Sequence, residues 1–496
     1  MIARPQTNIL NPNIYNFITG FIFLLFGTFL AFVISSGDSI FGLIVIIVPI
    51  VIGIIVIIFS NPYYGVLLYL NYSFISNGLS RYVPANVPLG LGIDFILLLT
   101  TLAMIVHIKW NDLKKLRQSV FYVTLLWTIY TILLIVNPLL GRIESLIYAI
   151  RGISLYSVQV IPLVLLYLNT KKDFNTFLKL IIGWSIISTI WGFKQIIFGT
   201  DMYEQKWLDA GGYVTHILNG QLRAFSFYSD AGQFGSTMAF VSFLCFILAF
   251  GPYSTRRRYT FFAISLLTFL GFSISGSRGP VFIIIFGFLF YLILIKQFRT
   301  LIYGLILGIF VFSFLKFTSI GSSNYQIYRI RTALDPKEAS LMVRLSNQEL
   351  FSKYLENKPF GGGIGTVDVF GIRYYPGSFL ANLPTDSWFV SIWAQSGIVG
   401  LVLHLFGIAY VLVVGFEKIF RLKSPDLRVK MIALYGGFFG VIVASLANPI
   451  FGQSPLGPIM YICMVYLSTA DKLDLEFVAE ETSKKLNVIN QSKIAA

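Results

Sequence analysis

The chain has 496 residues, 56% of them hydrophobic and 12% charged, with a mean hydropathy of +0.77. A soluble domain carries roughly 25% charged residues, so this composition excludes a soluble enzyme on a single anchor and points to an all-α, polytopic transmembrane helical bundle. The net charge of +15 does not indicate nucleic-acid binding, because much of it lies in short loops where it sets membrane orientation, and no basic domain exists.

About fourteen apolar segments approach the length a bilayer requires. In chain order they lie near 16–36, 40–59, 63–76, 92–108, 119–136, 148–168, 177–197, 231–251, 260–275, 280–295, 301–317, 387–415, 430–448 and 456–469. The first is long enough to remain as a span rather than be cleaved as a signal peptide. With the N-terminus inside, every strongly basic short loop falls on the cytoplasmic side: Lys109 to Arg117, Lys171-Lys172, Arg256-Arg257-Arg258, Lys296 with Arg299, and Lys418 to Lys430. Residues 1–470 read as one membrane domain, with both termini and the 471–496 tail in the cytoplasm. Two long connections fall outside, 198–230 and 318–386. The larger precedes the twelfth span and contains a helix near 337–357, whose apolar side is Leu341, Leu345, Phe351 and Leu355. Cys245 and Cys463 lie inside apolar segments as packing residues, and His107, His216 and His404 have no metal-ligand spacing.

Against the usual bias, the outer loops carry nine arginines: Arg81, Arg142, Arg151, Arg223, Arg278, Arg329, Arg331, Arg344 and Arg373. Cations kept at an outer surface suggest an anionic ligand, and the guanidinium fork matches phosphate geometry. Arg278 sits in the tight turn Ser275-Gly-Ser-Arg-Gly-Pro280, beside a helix N-terminus that favours an anion; an arginine snorkelling to lipid headgroups is the plain alternative. Arg223 has the choice of pairing with Asp230 or binding a phosphate, and Asp230 is also placed to cap the following helix. Arg151 starts the sixth span, where snorkelling again competes. Asp94 reads as a helix-start residue, and Lys194 as a snorkelling cation. Asp386, outward-facing near arginines, suits a general base, while Thr385 or Asp386 also suits the N-cap. Gly361-Gly-Gly-Ile-Gly365 offers backbone N–H groups to a phosphate or forms a turn; it lacks the Gly-Lys-Ser/Thr of a phosphate-binding loop. His216 reads as an outward, solvated loop histidine. His404, in a continuous helix, lies too far below Asp386 to share its site.

Four stretches, in order, resemble the O-antigen ligase/polymerase family of bacterial envelope glycosyltransferases. They are Arg223-Ala-Phe-Ser-Phe-Tyr-Ser-Asp-Ala-Gly-Gln-Phe-Gly235, Ser275-Gly-Ser-Arg-Gly279, Arg344 followed by Pro359-Phe-Gly-Gly-Gly-Ile-Gly-Thr366, and Asp386-Ser-Trp-Phe-Val-Ser-Ile-Trp-Ala-Gln-Ser-Gly-Ile-Val-Gly400. The resemblance covers roughly 220–400. It implies a polyprenyl-diphosphate-linked oligosaccharide donor, used at the outer face of a bacterial inner membrane without a nucleotide sugar, cofactor or essential metal. It implies a glycan, lipid or protein acceptor, membrane lipids, and other polysaccharide assembly proteins as partners. Arg223 and Arg278, with Arg151 and Arg344, are then expected to bind the diphosphate, and Asp386 to act as the base. Asp230, His216, Tyr374, Tyr375 and Trp388 are expected sugar or acceptor contacts. Family ligases carry a histidine where this chain has Asp386, and an acid where it has Gln395. These departures favour an inverting polymerase of lipid-linked repeat units over a ligase acting on lipid A core or protein. A lipid-linked oligosaccharide transporter is the reading from another class; the clustering of charges at one face weighs against it.

Overall fold

A computed structural model describes Gly27 and residues 39–495, apart from 84–86, 88, 219, 296–297, 321–324, 333–334 and 336. The expected first span, 16–36, lies outside the described residues except for Gly27. Each of the other expected apolar segments falls on a helix. Among the described residues seven helices are long and apolar enough to cross a membrane: Gly90–His107, Ser119–Val136, Ile143–Tyr167, Lys171–Ile197, Ala231–Ala249, Trp388–Arg421 and Pro425–Ala444. Val48–Ser60, Val281–Leu294, Ile302–Phe314 and Leu456–Ser468 are apolar but shorter. The described strands, Ile217–Leu218 and Gln221–Leu222, form a minimal antiparallel hairpin in the first long connection, with Ile217 opposite Leu222.

Local chemistry sets the helix ends. Asn61 accepts from the Tyr63 amide at 3.0 Å ahead of Pro62, whose missing N–H is not needed in the first turn. Thr170 and Asp173 form a reciprocal capping box for Lys171–Ile197. The helix Ala231–Ala249 has no polar stripe and is buried on nearly every side, as a helix at the centre of a bundle must be.

Small residues draw the helices around it together. Val281–Leu294 and Pro425–Ala444 run antiparallel, since Ile283 meets Gly440 and Gly287 meets Gly436. A Cβ on Gly436 would lie 2.7 Å from the Phe243 ring, so this crossing requires glycine. The register carries the turn before Val281 to the turn after Ala444, where Gly279 faces the Asn448 side chain.

The helix Trp388–Arg421 is broken. Gly397 has φ 69° and ψ −174°, and a Cβ there would run into the Pro359 carbonyl. In a continuous helix Trp388 and His404 would stand about 24 Å apart along the axis; here Trp388 Nε1 donates to His404 Nε2 at 2.9 Å. The 388–396 segment therefore folds back on the rest, and the expectation that His404 lies remote from the start of this helix is corrected. The break exposes carbonyls, and the glycine cluster satisfies them. Gly362 N donates to Ala394 O at 2.8 Å, Gly363 N to Gln395 O at 3.0 Å, and Gly365 N to Gln395 Oε1 at 2.7 Å.

At the opposite end of Pro425–Ala444, the tail helix Ala470–Ala495 docks through its acids. Asp474 accepts the Lys423 and Ser424 amides at 2.9 Å each, Lys418 pairs with Asp471 at 2.5 Å, and Lys171 pairs with Glu480 at 2.9 Å.

Candidate active site

The turn Ser275–Gly279 gathers arginines from three segments. Arg223 donates from Nε to Ser275 O at 3.1 Å and from Nη2 to Ser277 Oγ at 2.5 Å. Arg329 Nε reaches Gly276 O at 3.2 Å. Arg278, part-buried, pairs with Glu338 at 2.6 Å. The turn is tight because Gly276 has φ 57° and the Ser275 hydroxyl accepts from Ser277 N. Pro280 occupies the cap position, one residue before the expected helix start.

Glu338 is also the N-cap of the loop helix Ala339–Leu355, accepting from Leu341 N at 3.0 Å. Asn347, two and a half turns along, donates from Nδ2 to Pro384 O at 3.4 Å. One helix thus reaches from the Arg278 ion pair to the segment that carries Asp386. Glu338 and Asn347 are about 13 Å apart along its axis, and Arg344 lies between them, part-exposed and without an ion pair among the described residues. A second bridge joins the same two places: Ser445 O accepts from Trp388 N at 3.0 Å and from Ser387 Oγ at 3.2 Å, while Asn448 faces Gly279.

Asp386 does not cap its helix. Ser387 holds the cap position without a side-chain cap bond, Thr385 bonds elsewhere, and Asp386 adopts φ 51°. Its half-buried carboxylate has no hydrogen-bond partner among the described residues. Left-handed backbone in a non-glycine residue is uncommon and collects at functional sites.

Other expected contacts have other roles. Arg151, in a π-helical turn within Ile143–Tyr167, pairs with Asp94, which also accepts from Tyr156 OH at 2.8 Å. Asp94 is therefore an internal counter-ion rather than only a helix-start residue. Arg151 also lies 5.3 Å from the Tyr148 ring, and Tyr148 stacks with Tyr374 at 6.1 Å and Phe370 at 6.3 Å. Tyr148 is 40% exposed and escaped the sequence reading because it sits within an apolar run. Tyr375 is engaged structurally, its hydroxyl accepting from Arg142 N at 2.9 Å. Trp388 is only 7% exposed and committed to His404, so it is neither an open sugar contact nor an interface anchor. Asp230 caps Ala231–Ala249, accepting from Gly232 N at 2.7 Å and Gln233 N at 2.9 Å.

His216 is 3% exposed between Trp207 and Phe225, not solvated; its Nδ1 lies 2.8 Å from Gly212 O, and burial holds its pKa below the usual 6.5. Arg81 is a clamp: it lies between the same two rings, at 4.5 and 4.4 Å, and donates to Ser226 O at 2.5 Å and to Tyr228 O. Burial lowers its pKa to about 10. Lys194 pairs with Asp201 at 3.2 Å and Glu204 at 3.1 Å rather than snorkelling freely. The glycine cluster's amides at 362, 363 and 365 are spent on the helix break, so they do not form a phosphate cradle.

Comparison with known proteins bears on this region. The model of the O-Antigen ligase family matches residues 263–405, which contain Arg278, Arg344 and Asp386 but not Arg223. An O-antigen polymerase of Salmonella muenchen is 23% identical over 240 residues, covering 47% of this chain and 57% of that protein. The chain therefore spans little more than half the length of that relative. Residues 263–405 are thus similar to the O-antigen ligase family, and about half of the chain is similar to an O-antigen polymerase; both matches support the O-antigen ligase/polymerase family.

Proposed function

We propose that the chain is a membrane glycosyltransferase that polymerises polyprenyl-diphosphate-linked repeat units of a surface polysaccharide. The observation that carries this reading is the helix Ala339–Leu355, which joins the Arg278 turn to the Asp386 segment and holds Arg344 between them. A glycosyl diphosphate needs cationic donors at one end and a carboxylate near its anomeric carbon, and this arrangement supplies both. Arg223, Arg278 and Arg344 bind the diphosphate. Arg278 exchanges Glu338 for phosphate oxygens, and Arg151 does the same against Asp94. The acceptor hydroxyl attacks the anomeric carbon opposite the diphosphate. The glycosidic C–O bond forms, the bond to the phosphate oxygen breaks with its electron pair leaving on the diphosphate, and Asp386 takes the hydroxyl proton. One displacement inverts the anomeric centre. The Tyr148–Tyr374 stack, exposed at Tyr148, offers an aromatic face to the sugars. The chain crosses the bacterial inner membrane about fourteen times, with the Asp386 end outside and the 471–496 tail in the cytoplasm.

The test is transfer by purified protein in lipid, given a polyprenyl-diphosphate oligosaccharide with chelator and without nucleotide sugar. A ladder of longer lipid-linked glycans is expected. Arg278→Ala should lower kcat/KM at least 100-fold, from loss of a charge-assisted bond to the leaving group, and Asp386→Asn should abolish the ladder without unfolding the protein. A ligase reading has its own support in the family matched by residues 263–405; it predicts no ladder but transfer to an added lipid or protein acceptor. Movement of the glycan between leaflets without any transfer would sink both.

A further inference from the structure

Two hydroxyls on either side of Asp386 end on one carboxylate from a different segment. Thr385 Oγ1 lies 3.0 Å from Asp368 Oδ1 and 3.1 Å from Oδ2, and Ser391 Oγ lies 3.1 Å from Oδ2. The bonding continues inward: Gln395 Nε2 donates to Ser391 Oγ at 3.0 Å, and Gln395 Oε1 accepts from Gly365 N at 2.7 Å. Asp368 therefore joins the glycine segment at the helix break to both flanks of Asp386.

Asp368 begins the short helix Asp368–Tyr374 at φ 55°, and Asp386 stands at φ 51°. Two left-handed aspartates persist only where their surroundings over-determine them. At Asp368 the determinant is visible in its two hydroxyl donors. At Asp386 no bond of its own side chain holds the backbone; Ser387 and Trp388 fasten it to Ser445 O, and Thr385 and Ser391 fasten it on either side to Asp368. A carboxylate suits this task because it accepts several hydrogen bonds at once. Burial raises the Asp368 pKa, the hydroxyl bonds oppose that rise, and the charge of Asp386 adds to it.

We propose that Asp368 is the positioning residue for Asp386: it clamps Thr385 and Ser391 so that the Asp386 carboxylate is held off its own helix and toward the acceptor hydroxyl. The proposal rests on the reading of Asp386 as the acceptor's base. It assigns Asp368 no contact with substrate. Loss of the clamp leaves the diphosphate site intact and disorders only the base.

The experiment compares the full-length protein in lipid with its Asp368→Ala, Thr385→Val and Thr385→Ser variants, the Asp368→Ala/Thr385→Val double variant, and Asp386→Asn. Two readouts are taken: kinetics of glycan transfer, and amide hydrogen exchange of 385–391, which requires no activity. Asp368→Ala and Thr385→Val are expected to lower kcat 10- to 100-fold with donor KM within twofold of wild type. The double variant should be no worse than the poorer single one, because both remove the same bond. Thr385→Ser should restore kcat. Exchange at 385–391 should rise at least tenfold in Asp368→Ala, with the 231–249 helix unchanged. Full kcat, or unchanged exchange, in Asp368→Ala overturns the proposal. So does a kcat loss matched by faster exchange throughout the bundle, since that reports unfolding. If Asp386→Asn stays active while Asp368→Ala still loosens 385–391, the reading of Asp386 as base fails and the positioning proposal falls with it, leaving only a structural clamp.

Discussion

Burial leaves His216 with a ring that is costly to charge. Its Nδ1 side is occupied by Gly212 O at 2.8 Å and Thr215 Oγ1 at 2.8 Å, while Nε2 is buried without a partner. Burial is the largest influence and lowers its pKa; Asp230 and the Gly212 carbonyl oppose this, and Arg223 and Arg81 add to it. The unfolded chain therefore binds a proton before the folded one does. His216's contribution to stability is fully present above the ordinary pKa of 6.5 and is lost as pH falls from there through the depressed folded value. Thermal unfolding of the protein in detergent should show a melting temperature that declines below pH 6.5, and His216→Phe should flatten that decline. Equal slopes for the two proteins would mean that His216 does not titrate differently on folding. The same pocket explains why outer arginines cannot be read as one class. Arg81 is held between Trp207 and Phe225, whereas Arg278 is paired only across a loop.

At the scale of elements, the broken helix Trp388–Arg421 turns on Gln395. Its amide faces both ways, accepting from Gly365 N and donating to Ser391 O at 3.2 Å and Ser391 Oγ at 3.0 Å. A carboxylate can accept but not donate, and it would place a second negative charge beside the Asp368 network. Gln395→Glu should therefore lower both melting temperature and transfer. Because Gln395 is buried, the lost donor and added charge are worth about 2–4 kcal/mol together. Asp368→Asn, by removing one of the two charges, should recover part of the melting temperature; a double variant as unstable as the sum of the singles would show that the sites are not coupled. The helices were legible because apolar runs of this length have few other fates. The break at Gly397 was not, because Ser396-Gly-Ile-Val-Gly400 is as apolar as the helix on either side. What breaks the helix is the Pro359 segment, nearly forty residues earlier. Asp368 was hidden for the same reason: its partners, Thr385 and Ser391, are remote in sequence. The arginine turn was legible in part, since glycine, serine and proline spell a tight connection, but the Glu338 that neutralises Arg278 was not.

The molecule as a whole has two chemically different ends, and the helix Pro425–Ala444 measures the distance between them. Its first end, at Ser424, is fastened to the acidic face of the tail helix. Its last end, at Ser445, is fastened to Ser387 and Trp388 next to Asp386. Twenty residues of α-helix span about 30 Å, the thickness of a bilayer's hydrocarbon core. The described contacts thus separate the tail from the arginine turn by one membrane thickness before any orientation is assumed. Lys171, Lys418 and Lys430 lie at the tail end, and the bias of basic loops toward the cytoplasm predicts that this end faces inward. Cysteine labelling tests this directly, because Cys245 and Cys463 are buried and leave the native chain unreactive to a membrane-impermeant maleimide. In intact cells opened only at the outer membrane, Asp209→Cys and Lys353→Cys should react at once. Lys115→Cys and Arg421→Cys, at the opposite end, should react only after the inner membrane is permeabilised. Labelling of all four from one side would remove the membrane from between the two ends and with it the assignment of the spans. Labelling with the sides exchanged would keep the bundle but turn the Asp386 end toward the cytoplasm, where a reaction on exported lipid-linked glycans could not occur.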